Sequence, residues 1–184
     1  MILLRHGQSE FNLHFTATRK DPGIADAKLT PLGHQQAEAA AEQLAGEGIT
    51  RIFASPYTRA LQTAVPIALR LGLPVLVNPA VRERFGFTCD VGSPVSVLGP
   101  AWPGCDFSHM EEVWWPQAEE PANQVEARAA SFRAEMAASP DWKNTLVVCH
   151  WGFIMSLTGV SMQNGTWMRV DPTAPGPDTI SWKV

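Results

Sequence analysis

Apolar residues along this chain fall into short unbroken runs, each halted by a polar or glycine-containing turn. Met1-Ile2-Leu3-Leu4 comes first and stops at Arg5-His6-Gly7-Gln8-Ser9-Glu10. Arg51-Ile52-Phe53-Ala54, Pro74-Val75-Leu76-Val77 and Thr145-Leu146-Val147-Val148-Cys149 repeat the pattern. Runs this short, apolar without alternation, predict strands buried on both faces, as in parallel sheets covered by helices on either side. Between them the apolar period changes to that of a helix. Thr30 and Pro31 supply a cap and a first-turn proline ahead of Leu32, Ala37, Ala40, Ala41 and Leu44, with Gly46 and Gly48 as the stop. Ser55-Pro56 predicts a second start, running from Tyr57 to about Leu71-Gly72 with a kink at Pro66. Asn123 and Glu126 resemble a capping box for a helix over 123–138, whose apolar stripe is Val125, Ala129, Phe132 and Met136. A short helix is expected from Trp151 to Gly159.

The remaining segments read differently. Phe11 to Lys28, with Asp21-Pro22-Gly23, predicts a surface loop. From Gly86 to about Glu120 the pattern dissolves into Gly, Pro and aromatic residues, which predicts an irregular lid or substrate-loop insertion over 86–121. Thr166–Val170 and Thr179–Val184 read as edge strands. Strand and helix alternating along the chain imply an α/β fold: a three-layer sandwich with a mostly parallel central sheet, helices on both faces, and one domain over 1–184.

Composition narrows the partners. The 184 residues carry a net charge of −4, and the fourteen Lys and Arg are scattered, so there is no basic stripe for nucleic acid. A small phosphorylated substrate is not excluded, because a few arginines converging on one cleft need no overall positive charge. Cys89, Cys105 and Cys149 include no CxxC pair, and a zinc site built from Cys89, Cys105 and His109 would match no usual ligand spacing, so neither metal nor cofactor is expected. No apolar run approaches the roughly 18 residues of a membrane span, and Arg5-His6 follows the start too closely for a signal peptide, so a cytoplasmic protein is expected. Trp114-Trp115-Pro116 suits packing first, then a lid or the contact surface of a homodimer.

Candidate chemistry sits just past the strand ends: His6, Arg59, Glu83 and His150. Parallel strands joined by right-handed crossovers put those ends on one rim of the sheet, where open α/β folds bind ligands. Two arginines, two histidines and a carboxylate would then share a pocket. Neutral imidazole has a lone pair available to attack phosphorus without a separate base. Guanidinium groups can hold the charge that spreads over the phosphoryl oxygens, and a carboxylic acid can protonate the departing alkoxide and then activate water.

Arg5-His6-Gly7-Gln8-Ser9-Glu10-Phe11-Asn12 resembles the signature of the histidine phosphatase superfamily, in its phosphoglycerate-mutase-like branch. Leu29-Thr30-Pro31-Leu32-Gly33 with Gln36-Ala37, Ser55-Pro56 with Arg59-Ala60 and Gln62-Thr63-Ala64, and Val148-Cys149-His150-Trp151-Gly152 resemble its later motifs in order. The resemblance implies His6 as nucleophile, Arg5, Asn12, Arg59 and His150 around the phosphate, and Glu83 as general acid, with Asp90 and Glu10 as the alternatives for the acid. Two positions depart from the family pattern: Ser9 stands where Thr is common, and Trp151 where a small residue usually follows the second histidine. Metal-independent hydrolysis of small phosphate monoesters is the expected activity. A mutase or sugar bisphosphate phosphatase would need cations such as Arg19, Lys20, Arg82 and Arg84, because Phe85 to Asn123 contains no Lys or Arg. A non-catalytic phospholigand-binding domain is the third reading, and the intact His6, Arg59 and His150 set argues against it.

Overall fold

The computed structural model describes residues 1–182. Six strands, β1 (Ile2–Arg5), β2 (Arg51–Ala54), β3 (Val75–Val77), β4 (Cys105–Asp106), β5 (Thr145–Cys149) and β6 (Trp167–Arg169), form one sheet in the order β4-β3-β2-β5-β1-β6. Only β6 runs antiparallel, along β1; the other neighbours are parallel. The α/β sandwich read from the hydrophobic runs is the observed architecture.

Both faces of the central strands are dry because alternate residues feed two cores. Ile2, Leu4, Ile52, Leu146 and Val148 pack with α2 (Pro31–Leu44) and α3 (Thr58–Leu71), reached by Ala40, Leu44, Leu61 and Ile67. Met1, Leu3, Val147 and Cys149 face the other way, against Phe132 and Met136 of α5 (Ala122–Ala138) and Phe153 and Leu157 of α6 (Trp151–Thr158). All four residues of the Val125, Ala129, Phe132, Met136 stripe are buried. Among the described residues no helix is long and apolar enough to cross a membrane.

Several local expectations need correction. Residues 11–28 are not all loop, because Glu10–Thr18 forms α1. Ser9 and Asn12 close a reciprocal capping box at its start, and Phe11 and Phe15, four residues apart, stack with centroids 5.1 Å apart. Ser55 does not cap α3: it is fully buried with its hydroxyl unpaired, and the carboxylate of Asp26 instead accepts from the Thr58 N–H and hydroxyl. The helix itself spans Thr58–Leu71 with Pro66 inside it, as the sequence predicts. Asn123 does not cap α5 either, since Pro121 occupies that position and no side chain bonds there. Between Gly86 and Glu120 the chain is more ordered than its composition suggests, with a 3-10 turn at Thr88–Asp90, helix α4 (Val95–Ala101) and the edge strand β4. Trp114 is packed there, its ring 4.7 Å from Tyr57 and its N–H donating to the Ser93 carbonyl. Residues 167–169 form the expected edge strand, whereas 179–182 have no regular structure; Lys183 and Val184, the end of the second expected strand, lie outside the described residues.

Two glycines fix how the first strand leaves the sheet. A Cβ on Gly7 would strike the Gly33 carbonyl, and one on Gly33 the Gln8 carbonyl, so the turn after β1 and the first turn of α2 meet backbone to backbone. Gly33→Ala forces them apart, and overpacking of this kind costs about 1–3 kcal/mol. Urea unfolding of that variant is expected to show a lowered midpoint at unchanged slope; an unchanged midpoint would mean that the turn yields to a methyl group.

Candidate active site

Parallel register brings the strand ends together. Arg5 pairs with Cys149, and Ala54 pairs with both Val148 and Val77, so β1, β2, β3 and β5 stop nearly level. The ladder continues one step beyond, with His6 N–H donating to the Cys149 carbonyl and Ser55 N–H to the Val148 carbonyl. Arg5, His6, Asn12, Arg59, Glu83 and Asp90 line one cleft of about 320 Å³.

His6 is held tightly. Its Nδ1 lies 2.7 Å from the Gly7 carbonyl oxygen, which can only accept, so Nδ1 carries the proton and the lone pair is on Nε2. Gly7 is fixed in turn by its N–H bond to the Thr63 hydroxyl, and Asn164 donates to the His6 carbonyl. Burial, then the positive charges of Arg59 and Arg5, push the His6 pKa well below its usual 6.5, against the pull of the Gly7 bond. The ring is therefore neutral at physiological pH.

His150 lies fully buried against it, with ring centroids 5.0 Å apart and Tyr57 edge-on at 5.2 Å. Neither of its ring nitrogens has a partner among the described residues, and Arg5 Nε is likewise unpaired. Burial first, then Arg59, keeps His150 neutral as well. Arg5 is anchored through Nη1 to the Met162 carbonyl, and burial lowers its pKa to about 10, which leaves it charged.

Arg59 projects from the first turn of α3, where a cation opposes the helix dipole. Its compensation is local: the guanidinium pairs with Asp90 at 3.1 Å, donates to the Cys89 carbonyl at 2.8 Å, and lies over the Tyr57 ring at 4.3 Å. Asp90 is fixed from its other side by the N–H groups of Gly86 and Phe87.

Glu83 is half-buried beside the start of α6. Its carboxylate accepts from the Arg84 N–H at 2.8 Å and the Gly152 N–H at 2.9 Å. Burial, then the charge of Asp90, raises its pKa, while those two N–H bonds and Arg59 work against the rise. A Cβ on Gly152 would meet Glu83 Oε1, so this glycine leaves room for the carboxylate. Asn12 turns its carbonyl to Ser9 and Asn164 while lining the cleft.

Of the residues singled out in the sequence, Arg5, His6, Asn12, Arg59 and Glu83 are brought onto one cleft, and the His150 ring packs against that of His6. Of the alternative acids, Asp90 is at the site and already paired with Arg59, whereas Glu10 is exposed and does not line the cleft. Cys89, Cys105 and His109 form no metal-holding group among the described residues; His109 bonds the Val77 carbonyl. Sequence reasoning missed Asn164, Thr63 and Gly152 as supports. Thr63 and Gly152 stand inside the quoted motifs with no role read for them, and Asn164-Gly165 is a turn pair ahead of β6.

A glucosyl-3-phosphoglycerate phosphatase of Mycobacterium tuberculosis strain H37Rv is 30% identical over 209 aligned positions, which cover 100% of this chain and 92% of that protein. A probable phosphoglycerate mutase GpmB of Yersinia enterocolitica is 39% identical over 83 residues, 45% of this chain and 37% of that protein. The solved structure of a mycobacterial glucosyl-3-phosphoglycerate phosphatase with VO3 superposes with a TM-score of 0.63 at 27% identity, over 91% of this chain and 88% of that one. Residues 1–174 match the sequence profile of the histidine phosphatase superfamily, branch 1, and the chain belongs to that family.

Proposed function

We propose that this protein hydrolyses small phosphate monoesters without a metal, through a phosphohistidine formed on His6. One observation carries the reading: a buried imidazole, its Nδ1 bound to the Gly7 carbonyl so that the lone pair lies on Nε2, shares one cleft with Arg5 and Arg59 and packs against the His150 ring. The relatives named as phosphatases support it.

A phosphoryl group seated against Arg5, Arg59, Asn12 and His150 presents its phosphorus to His6 Nε2. Nε2 bonds to phosphorus as the ester oxygen leaves, and Glu83 in its acid form gives that oxygen a proton. Glu83, now a carboxylate, takes a proton from water as the water oxygen attacks the phosphohistidine, which frees inorganic phosphate and restores the neutral ring. The fixed guanidinium groups meet the charge on the equatorial oxygens with no reorganisation, which is what makes such donors effective. His150, neutral, has one ring N–H to donate to the anion.

A mutase has less support. Of the cations it could recruit, only Arg84 lines the cleft, and it is tied to Glu119 and to the Glu120 carbonyl. Holding a second acidic group or retaining a phosphorylated intermediate would need more than that.

His6→Ala is expected to lower phosphate release by roughly a thousandfold or more while leaving the unfolding midpoint close to wild type. Activity retained in that variant would discard the covalent step. Glu83→Gln should slow alkyl phosphates by about 10²–10⁴-fold and nitrophenyl phosphate far less, because nitrophenolate leaves without a proton. Equal losses on the two would move the acid elsewhere. The pH profile of kcat/KM, corrected for substrate ionisation, follows from the two shifts. His6 is depressed below 6.5, so its neutral form and the activity survive until the pH is well under that value. Glu83 is raised above 4.5, so its acid form persists above the usual range and the alkaline limb reports its ionisation. Glu83→Gln should erase that limb, and an acid limb centred at or above 6.5 would contradict a buried neutral His6. Added chelator is expected to leave turnover unchanged.

A further inference from the structure

The rest of the cleft says what the phosphate is attached to. Two groups of rings line it in addition to the charged residues. Phe11 and Phe15 of α1 meet Phe87, with centroid separations of 5.1, 5.2 and 5.0 Å. Trp151, the first residue of α6, meets Trp182 from the C-terminal segment at 6.1 Å. Both tryptophans are held by their N–H groups, Trp151 to the Ser161 hydroxyl and Trp182 to Glu126. The rings are positioned yet unfinished: Phe87 is 42% exposed, and Phe15, Trp151 and Trp182 are only half-buried. Apolar rings fixed around an open cavity that is continuous with an anion site are the lining of a ligand pocket.

Charge points the same way. Arg84 stands at Trp182, its guanidinium 5.0 Å from the ring centroid, with Nε donating to the Glu120 carbonyl and Nη2 to the exposed carboxylate of Glu119. Arg82 and Arg128 are both turned to Glu120 at 2.8 Å. Among the described residues, Arg84 is the one cation lining the cleft beyond Arg5 and Arg59, and it is already paired with Glu119, so a second anionic group would have to compete with that carboxylate.

We propose that the cleft selects phosphate monoesters of neutral alcohols that carry a flat apolar group, taken up between the Phe11-Phe15-Phe87 cluster and the Trp151-Trp182 pair. The proposal rests on the phosphatase reading for what happens at the other end of the molecule, and it makes Trp182 and Phe87 determinants of specificity. Phosphoglycerates and bisphosphates are then poor ligands, since their extra charges would enter an apolar, cation-poor space.

Binding and turnover separate the two claims. Titration calorimetry with 3-phenylpropylphosphonate and propylphosphonate compares ligands that differ by one ring and cannot be hydrolysed. The phenyl compound is expected to bind roughly ten- to a hundredfold more tightly, the scale of burying one aromatic ring. Phe87→Ala, at an exposed position, and Trp182→Ala should each cut that ratio several-fold, and Trp182→Phe should restore most of it. Equal affinities for the two phosphonates, or tighter binding of 3-phosphoglycerate than of the phenyl compound, would overturn the proposal. Phosphate release from 3-phenylpropyl phosphate is the separate check on hydrolysis: its absence alongside the expected phosphonate preference would overturn the phosphatase reading and leave the pocket assignment standing.

Discussion

The bond between His6 Nδ1 and the Gly7 carbonyl is the constraint that the site is built on. It settles which nitrogen carries the proton, and it works only if the Gly7 carbonyl stays where it is. That carbonyl belongs to a turn clamped on several sides: Gly33 closes on it backbone to backbone, Thr63 takes the Gly7 N–H, and Asn164 holds the His6 carbonyl. Residues from α2, α3 and the segment before β6 thus converge on one peptide unit. The parallel sheet supplies the rest, because β1 and β5 end level and place His150 against the ring of His6.

Electrostatics around that imidazole is a balance among buried and half-buried groups. Arg59 has Asp90, and Glu83 has two backbone N–H groups. Arg5 Nε and both His150 nitrogens have nothing. Leaving buried donors unpaired costs about 1–3 kcal/mol each, and that cost is recovered when an anion enters. Burial keeps both histidines neutral, which preserves the lone pair on His6 Nε2.

Much of this was legible in the chain because the relevant signals are local. Short apolar runs revealed the strands and their ends, and a chemical residue just past a strand end is a position any parallel sheet turns into a rim. Five of the six residues singled out line the cleft for that reason, and the sixth, His150, packs its ring against that of His6. What stayed hidden depends on distant partners. Asp26 caps α3 from 32 residues away, which no reading of Ser55-Pro56 could reveal. Helix α1 carries only Phe11 and Phe15 as an apolar face, too little for periodicity, although Ser9 and Asn12 offered a cap. Trp182 reaches the cleft from the far end of the sequence, in a segment that read as an edge strand. The small supports, Thr63, Gly152 and Asn164, are visible only once the fold has brought their partners to them.

The central claim is that His6 Nε2, and no other atom, accepts the phosphoryl group. Rapid quenching of the enzyme into denaturant during turnover of a phosphorus-32-labelled ester, with the phosphorylated peptide then identified by mass spectrometry and its phosphorus NMR shift, tests this directly. The account predicts an acid-labile, base-stable phosphate on Nε2 of His6. Label on Nδ1, on another residue, or on no residue while phosphate is being released would contradict it.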